Sequence, residues 1–288
     1  MRRAVIDIGT NTVKLLVADI SERQVVPIIE KDRTTRLGEG VDHGKRLLPA
    51  AMARTVRAIQ DFLAEAKALG ATDCVAVATS AARDAANRDE FLSQVRHECG
   101  LEVQLISGDR EAELIFRGVS SDPEWSGARI LVVDVGGGSA EFIQGAGGKM
   151  ELFRSLPLGA LRLTEKFREG PFAELCEYLR VTLREALAGY DASGCRMIAT
   201  GGTMVTLARV ECGAADHATI SREKVQALVR RLEAMPLAKR KTVPGLPPER
   251  ADIIVAGGAV LLTAMELLEA SELTVSVRNL RYGALLSD

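Results

Sequence analysis

An α/β protein of two related domains is what this chain of 288 residues predicts, and three observations carry that expectation. One short string of residues occurs twice, as Val5-Ile6-Asp7-Ile8-Gly9-Thr10-Asn11 and as Val132-Val133-Asp134-Val135-Gly136-Gly137-Gly138-Ser139, with the two aspartates 127 positions apart. Apolar runs of strand length alternate with segments of helical period through both halves, the pattern of helices packed on both faces of a mixed sheet. The length is enough for two domains of ordinary size, each with its own core.

The elements follow in order. Strands are expected near 4–8, 13–19 and 25–30. Pro49 then opens a helix in which Met52, Val56, Ile59, Leu63 and Ala66 recur at helical spacing, and Gly70 stops it. A short buried strand follows at Cys74–Ala78, then a helix capped by Asn87 or Asp89 and ended by Gly100. Val103–Ile106 is a further strand, and Asp109 begins a helix carrying Leu114, Ile115 and Val119. Asp122-Pro123 is the expected domain hinge, which divides the chain into 1–123 and 124–288. The second half repeats the hairpin over 129–144 and adds a strand near 149–154. A loop at Pro157-Leu158-Gly159 leads to a helix near 172–189. Beyond it come a strand at 195–199, a helix from Gly202, a helix capped by Ser221, a long helix near 249–269 and a strand at 273–277. A basic, proline-containing loop spans Pro236–Pro248. The last helix, near 278–288, is free to pack back on the first domain.

Composition narrows the function. A formal net charge of −2 lacks the basic excess of a general nucleic-acid binder. Five scattered cysteines with no C-x-x-C pair read as the reduced thiols of a cytoplasmic protein. No apolar run is long enough to span a bilayer, and the chain enters a strand without a signal peptide. The three histidines lie far apart, against a zinc centre or a histidine triad.

The repeated string is where chemistry is expected. Each copy reads as a buried strand, an Asp, a glycine turn and a returning strand. Glycine permits φ > 0 and lets backbone N–H groups approach a ligand, so such turns make anion-binding nests. Asp7 and Asp134 stand where a carboxylate binds a cation or orients water; the plain alternative is a turn residue bonded to its own backbone. For Gly136, Gly137 and Gly138 the structural alternative is a very tight backbone crossing. Glu141 on the second returning strand aligns with Lys14 on the first, opposite charges at one position. Thr200-Gly201-Gly202-Thr203 puts N–H groups at a helix N-terminus, where anions bind. Gly257-Gly258 serves either a ligand or close helix packing. Glu111, by itself, is an ordinary first-turn carboxylate. Arg83, past a strand end, either forks onto phosphate oxygens or is solvated.

Taken in this order, the motifs resemble the exopolyphosphatase / guanosine pentaphosphate phosphatase family. They are Asp7-Ile-Gly-Thr-Asn11, Leu37-Gly38-Glu39-Gly40-Val41, Thr79-Ser-Ala-Ala-Arg83, Ile106-Ser-Gly-Asp-Arg-Glu111-Ala112, Asp134-Val-Gly-Gly-Gly-Ser-Ala-Glu141, Ser155-Leu-Pro-Leu-Gly159, Thr200-Gly-Gly-Thr203 and Leu280-Arg281-Tyr282-Gly283. The resemblance implies two ribonuclease-H-like domains of the actin-like, Hsp70-like and sugar-kinase-like superfamily, with a cleft between them. It implies hydrolysis of a terminal phosphoanhydride with Mg²⁺, or Mn²⁺ in its place. Glu111 looks like the general base. Asp134 and Glu141, with Asp7, look like the metal and water carboxylates. Gly9, Thr10, Asn11, Arg83, Gly136, Gly137, Gly138, Ser139, Gly202 and Thr203 look like the phosphate cradle. The expected substrate is inorganic polyphosphate, the alternative guanosine pentaphosphate; the family implies a homodimer, and the charge and the lack of a spanning run imply no nucleic-acid or membrane partner. A kinase or ATPase of the superfamily and a non-catalytic sensor are the competing classes. Two departures stand out: Arg110 where many relatives have a second acid, and Tyr282 where the terminal motif often has Glu. The chain also stops before the helical C-terminal region of long relatives, from which a preference for short polyphosphates is expected.

Overall fold

A computed structural model describes residues 1–21 and 24–287. By its internal contacts the chain forms two units, one of Met1–Asp122 with the C-terminal residues from Arg278, the other of Pro123–Val277.

In the first unit, β1 (Arg2–Ile8), β2 (Thr12–Ser21) and β3 (Gln24–Thr34) form an antiparallel meander. After α1 (Val41–Gly44) and α2 (Pro49–Ala68), β4 (Asp73–Ala78) pairs parallel to β1; α3 (Ser80–Asp84) and α4 (Arg88–Cys99) lead to β5 (Val103–Leu105), parallel to β4, and to α5 (Gly108–Ser120). The sheet order is β3-β2-β1-β4-β5. One face of it buries Ile6, Ile8 and Leu15 with Val56, Ile59 and Phe62 of α2 and Phe91 of α4.

The second unit opens with a 3₁₀ turn at Pro123–Trp125. It continues through β6 (Arg129–Val135), β7 (Ala140–Ala146), β8 (Lys149–Leu156), α6 (Ala160–Lys166), α7 (Phe172–Ala186), β9 (Arg196–Thr200), α8 (Gly201–Cys212), β10 (Thr219–Ser221), α9 (Arg222–Glu233) and α10 (Leu237–Arg240). A 3₁₀ turn at Pro248–Arg250, α11 (Ile254–Leu267) and β11 (Glu272–Val275) complete it. The order β10-β11-β9-β6-β7-β8 repeats the first sheet, read from the far edge, with β10 added. Both units thus have the expected ribonuclease-H-like arrangement, a three-stranded meander flanked by parallel strands. The α11 helix is buried nearly all round, which explains its almost uninterrupted apolar sequence.

The last helix, α12 (Leu280–Leu285), packs on α5 of the first unit. A Cβ on Gly118 would lie 2.1 Å from Asn279 O and one on Gly283 only 1.9 Å from Leu114 O, so the two helices meet backbone to backbone. Arg281 donates to Leu15 O at 2.8 Å and to Glu30 at 2.6 Å, and Tyr282 OH donates to the other oxygen of Glu30 at 2.6 Å. Tyr282 thus supplies a donor to an acid that β3 provides. Asp288, the last residue assigned to this helix from sequence, lies outside the described residues.

Several local expectations are corrected. Helix α5 begins at Gly108, one residue before the expected Asp109, and is capped by Ser107, whose side chain accepts from Arg110 N. Asn87 precedes α4 but its amide is turned to Leu47, accepting from its N–H at 2.8 Å and donating to its C=O at 3.1 Å. A short helix, α6, precedes the one expected near 172–189, and the loop at Pro236–Pro248 contains the helical turn α10. In that turn Arg240 donates to Leu232 O and Met235 O, so a basic residue serves the C-terminal carbonyls of α9.

Candidate active site

In the first unit the turn between β1 and β2 closes through Gly9 N–H donating to Thr12 O at 3.2 Å, and a Cβ on Gly9 would sit 2.9 Å from that oxygen. Gly9 does not adopt positive φ, and neither do Gly136, Gly137 and Gly138. These turns therefore do not draw on the freedom for φ > 0 that glycine offers. Close approach, not dihedral freedom, excludes the side chain at Gly9, and the neighbouring residues gather other motifs around the turn. Thr10 O accepts from Gly38 N–H at 2.8 Å, and Thr10 Oγ1 accepts from Ala81 N–H at 3.2 Å, capping α3 from another element. Asn11 O accepts from Thr35 and Arg36 N–H, while Asn11 Nδ2 donates to Thr12 Oγ1. Asn11 Oδ1 is buried with no hydrogen-bond partner among the described residues, the kind of group that calls for a water or ligand.

From α3, Arg83 Nη1 donates both to Ile106 O at 3.0 Å and to Glu111 Oε2 at 3.1 Å. The guanidinium thus ties the end of β5 to the first turn of α5, and Glu111, only 7% exposed, is held in a charge-assisted bond. Arg110 points elsewhere, pairing with Glu113 at 2.7 Å. Asp7 is equally buried and is the direct cross-strand partner of Lys14, with Lys14 Nζ 3.9 Å from Asp7 Oδ2. Burial raises the Asp7 pKa, against the pull of Lys14 and Arg281.

The second unit repeats the closing bond of the turn: Gly136 N–H donates to Ser139 O at 3.0 Å. Here the loop's carbonyls are consumed by α6. Ala160 N–H donates to Gly136 O, Leu161 and Arg162 N–H to Gly137 O, and Arg162 Nε to Gly138 O. The tight backbone crossing considered from sequence is present, because a Cβ on Gly159 would lie 2.3 Å from Gly137 C and Gly138 N. The carbonyls of the three glycines are thus all committed to α6.

Asp134 pairs across the ladder with Glu141 on one side and with Thr200 on the other. Glu141 is 1% exposed, and Ser155 Oγ donates to its Oε1 at 2.8 Å. Directly after Thr200 the chain turns at Gly201, with φ +87°, and a Cβ there would fall 2.0 Å from Asp134 Oδ1. The carboxylate thus lies against the N-terminus of α8, whose dipole favours negative charge. Gly202 leaves room for the Arg250 guanidinium, 2.3 Å from where its Cβ would be. Arg250 is buried, and sequence reasoning passed over it; its signal was a lone arginine between two prolines and an apolar helix. Thr203 is buried against Gly257, and Gly258 against Val229, so the second glycine pair serves helix packing. A cavity of about 830 Å³ in this unit lies elsewhere, lined by Leu131, Met197, Arg196 and Glu272 at the starts of the strands, and no candidate residue lines it.

A profile of the Ppx/GppA phosphatase family matches residues 16–288. The chain belongs to that family. It is 33% identical over 301 residues to exopolyphosphatase 1 of Mycobacterium tuberculosis, covering 99% of this chain and 88% of the relative. To exopolyphosphatase 2 of the same organism it is 34% identical over 314 residues, covering 99% and 98%. Among solved structures, an exopolyphosphatase from Cytophaga hutchinsonii superposes with a TM-score of 0.90 at 27% identity, over 99% of this chain and 96% of that one. A Ppx/GppA family member of Aquifex aeolicus gives 0.82 at 29%, over 99% and 96%. Family membership makes the chain a hydrolase of phosphoanhydrides and displaces the kinase and sensor alternatives. No helix among the described residues is long and apolar enough to cross a membrane.

A divalent cation fits the second unit better than the first. Mg²⁺ keeps several waters and is held by one or two carboxylates together with substrate phosphates. Asp134 and Glu141 are such a pair, and Gly201 lets the Asp134 carboxylate lie where a side chain would otherwise stand. Among the described residues no cluster of three His, Cys, Asp or Glu forms a cage for a metal, so the substrate would complete the coordination.

Proposed function

We propose that the protein removes the terminal phosphate of inorganic polyphosphate, releasing orthophosphate, with Mg²⁺ bound at Asp134 and Glu141. The observation that carries this reading is the acid pair Asp134–Glu141 at the foot of a turn whose carbonyls are all turned away. Phosphoryl transfer needs positioning and charge neutralisation more than covalent help from the protein. Glu111 accepts the proton of the attacking water, and Arg83 fixes the orientation of its carboxylate. The N–H groups of the Gly136–Ser139 turn, the N-terminus of α8 and the Arg250 guanidinium bind phosphate oxygens. Mg²⁺, when bound, neutralises the developing charge on the phosphate.

The names of the two mycobacterial relatives favour polyphosphate. Guanosine pentaphosphate offers the same terminal phosphoanhydride and is the second substrate to test. Phosphate release from tripolyphosphate, long polyphosphate, guanosine pentaphosphate and ATP, for wild type and Glu111→Gln, decides between them. Polyphosphate should lead the kcat/KM ranking, with kcat down about 10²–10⁴-fold in Glu111→Gln. A ranking led by guanosine pentaphosphate reassigns the substrate; an unimpaired Glu111→Gln removes the general base.

A further inference from the structure

Three residues stand in register across the meander of the second unit: Asp134 on β6, Glu141 on β7 and Ser155 on β8. Directly opposite residues point to one face of a sheet, so these side chains form a single row. The first unit has the same row as Asp7, Lys14 and Asp32. There a lysine stands between two acids. In the second row a carboxylate takes the central place, and a serine hydroxyl takes the outer one.

We propose that Ser155 is a positioning residue for the metal-binding carboxylate of Glu141, an inference that rests on the function proposed above. Glu141 is 1% exposed, and a polar group so buried needs a hydrogen-bond partner. Ser155 Oγ donates to Oε1 at 2.8 Å, which fixes the plane of the carboxylate and the direction its other oxygen faces. The hydroxyl is itself fixed, because its strand runs at once into the segment that grips the phosphate turn. Four residues on, Gly159 packs against Gly137 and Gly138, and the next three N–H groups donate to the carbonyls of Gly136 and Gly137. One continuous stretch, 155–162, therefore orients both the acid and the N–H groups that meet the same phosphate. This gives the Ser-Leu-Pro-Leu-Gly motif two tasks, at its first and its last residue.

The experiment compares wild type, Ser155→Ala, Ser155→Val, Ser155→Thr and Glu141→Gln. Binding of Mn²⁺ alone is followed by electron paramagnetic resonance of the free ion, and kcat and KM are measured on tripolyphosphate, with circular dichroism to verify folding. Ser155→Ala and Ser155→Val should each lower Mn²⁺ affinity and kcat about 10–100-fold, with KM little changed, as for loss of a residue that orients a metal ligand. Ser155→Thr, nearly isosteric with the valine variant but keeping a hydroxyl, should restore both. If Glu141→Gln loses Mn²⁺ binding while the alanine and valine variants match wild type, Ser155 has no positioning role. If Glu141→Gln binds Mn²⁺ and turns over like wild type, the metal site itself is misassigned and the inference falls with it. Equal loss in threonine and valine variants would show a packing role and overturn the proposal.

Discussion

At the first hairpin Asp7 faces Lys14; at the second, 127 residues later, Asp134 faces Glu141. The turns are closed by the same bond, from the glycine N–H to the carbonyl three residues on. The backbones are therefore equivalent and the charges are not. Opposite charges across a ladder support a sheet, whereas like charges directly opposite destabilise it. The first hairpin keeps the supportive arrangement, while the second holds two acids side by side, an arrangement that suits an external cation. A second difference lies one strand over. The residue after Val77, the β4 partner of Asp7, is Ala78, still in the strand. The residue after Thr200, the β9 partner of Asp134, is Gly201, where the chain already turns. The comparison shows that duplicated folds divide labour through side chains and one early turn, not through a new topology.

Glu141→Lys breaks the comparison most severely, since it gives the second row the Asp–Lys pair of the first. Turnover of polyphosphate should fall about 10³-fold or more, while the melting temperature holds or rises because the acid pair is relieved. Paired phosphate-release assays and thermal melts check both halves. Gly201→Ala tests the early turn. Its Cβ would press on Asp134 Oδ1 at a φ of +87°, and kcat should drop about 10²-fold. Gly148→Ala is the control, with φ +75° and nothing within 4 Å of the added atom; it should lose only about 1 kcal/mol of stability and no activity.

Arg83→Gln asks whether the working acid of the first unit is Glu111 and not Asp7. Loss of the bond to Glu111 should lower kcat about 10–100-fold, because small displacements of a catalytic group are costly. An unchanged kcat with a raised KM would instead make Arg83 a simple phosphate contact.

The smallest effect is on stability. Asp7 titrates above the ordinary carboxylate value because burial outweighs the attraction of Lys14 and Arg281. The folded protein therefore holds this proton to higher pH than the unfolded chain. The stability linked to it is full below the unfolded value of 3.8 and is lost as pH rises through the folded value. Asp7→Asn should remove that loss, raising the melting temperature at pH 7 by about 2–4 °C and flattening its dependence on pH above 4. A lower melting temperature in Asp7→Asn would mean that the Lys14 pair outweighs burial.

Much of this was legible in the residues. The repeated Asp-x-Gly string announced two equivalent hairpins, since strand alternation and a tight turn are local properties of a few neighbouring side chains. Alignment of the copies already set Glu141 against Lys14. Less could be read where distant backbone decides. The glycines at 136–138 suggested either a ligand loop or a tight backbone crossing; the crossing is with Gly159 and the N-terminus of α6, a helix that no periodicity announced in seven residues. Gly257 and Gly258 read equally well as ligand contacts until Thr203 and Val229 were found against them.

The sequence by itself determined the α/β class, the internal duplication and the identity of the acids and glycines, because each depends on composition and short-range pattern. Only the tertiary structure decided which groups hold those acids in place. Arg83 reaches Glu111 across 28 residues, Ser155 reaches Glu141 across 14, and Arg250 arrives beside Gly202 from a separate turn. Such partners are chosen by strand register and by where buried charge must be satisfied, and both emerge only when the chain has closed on itself.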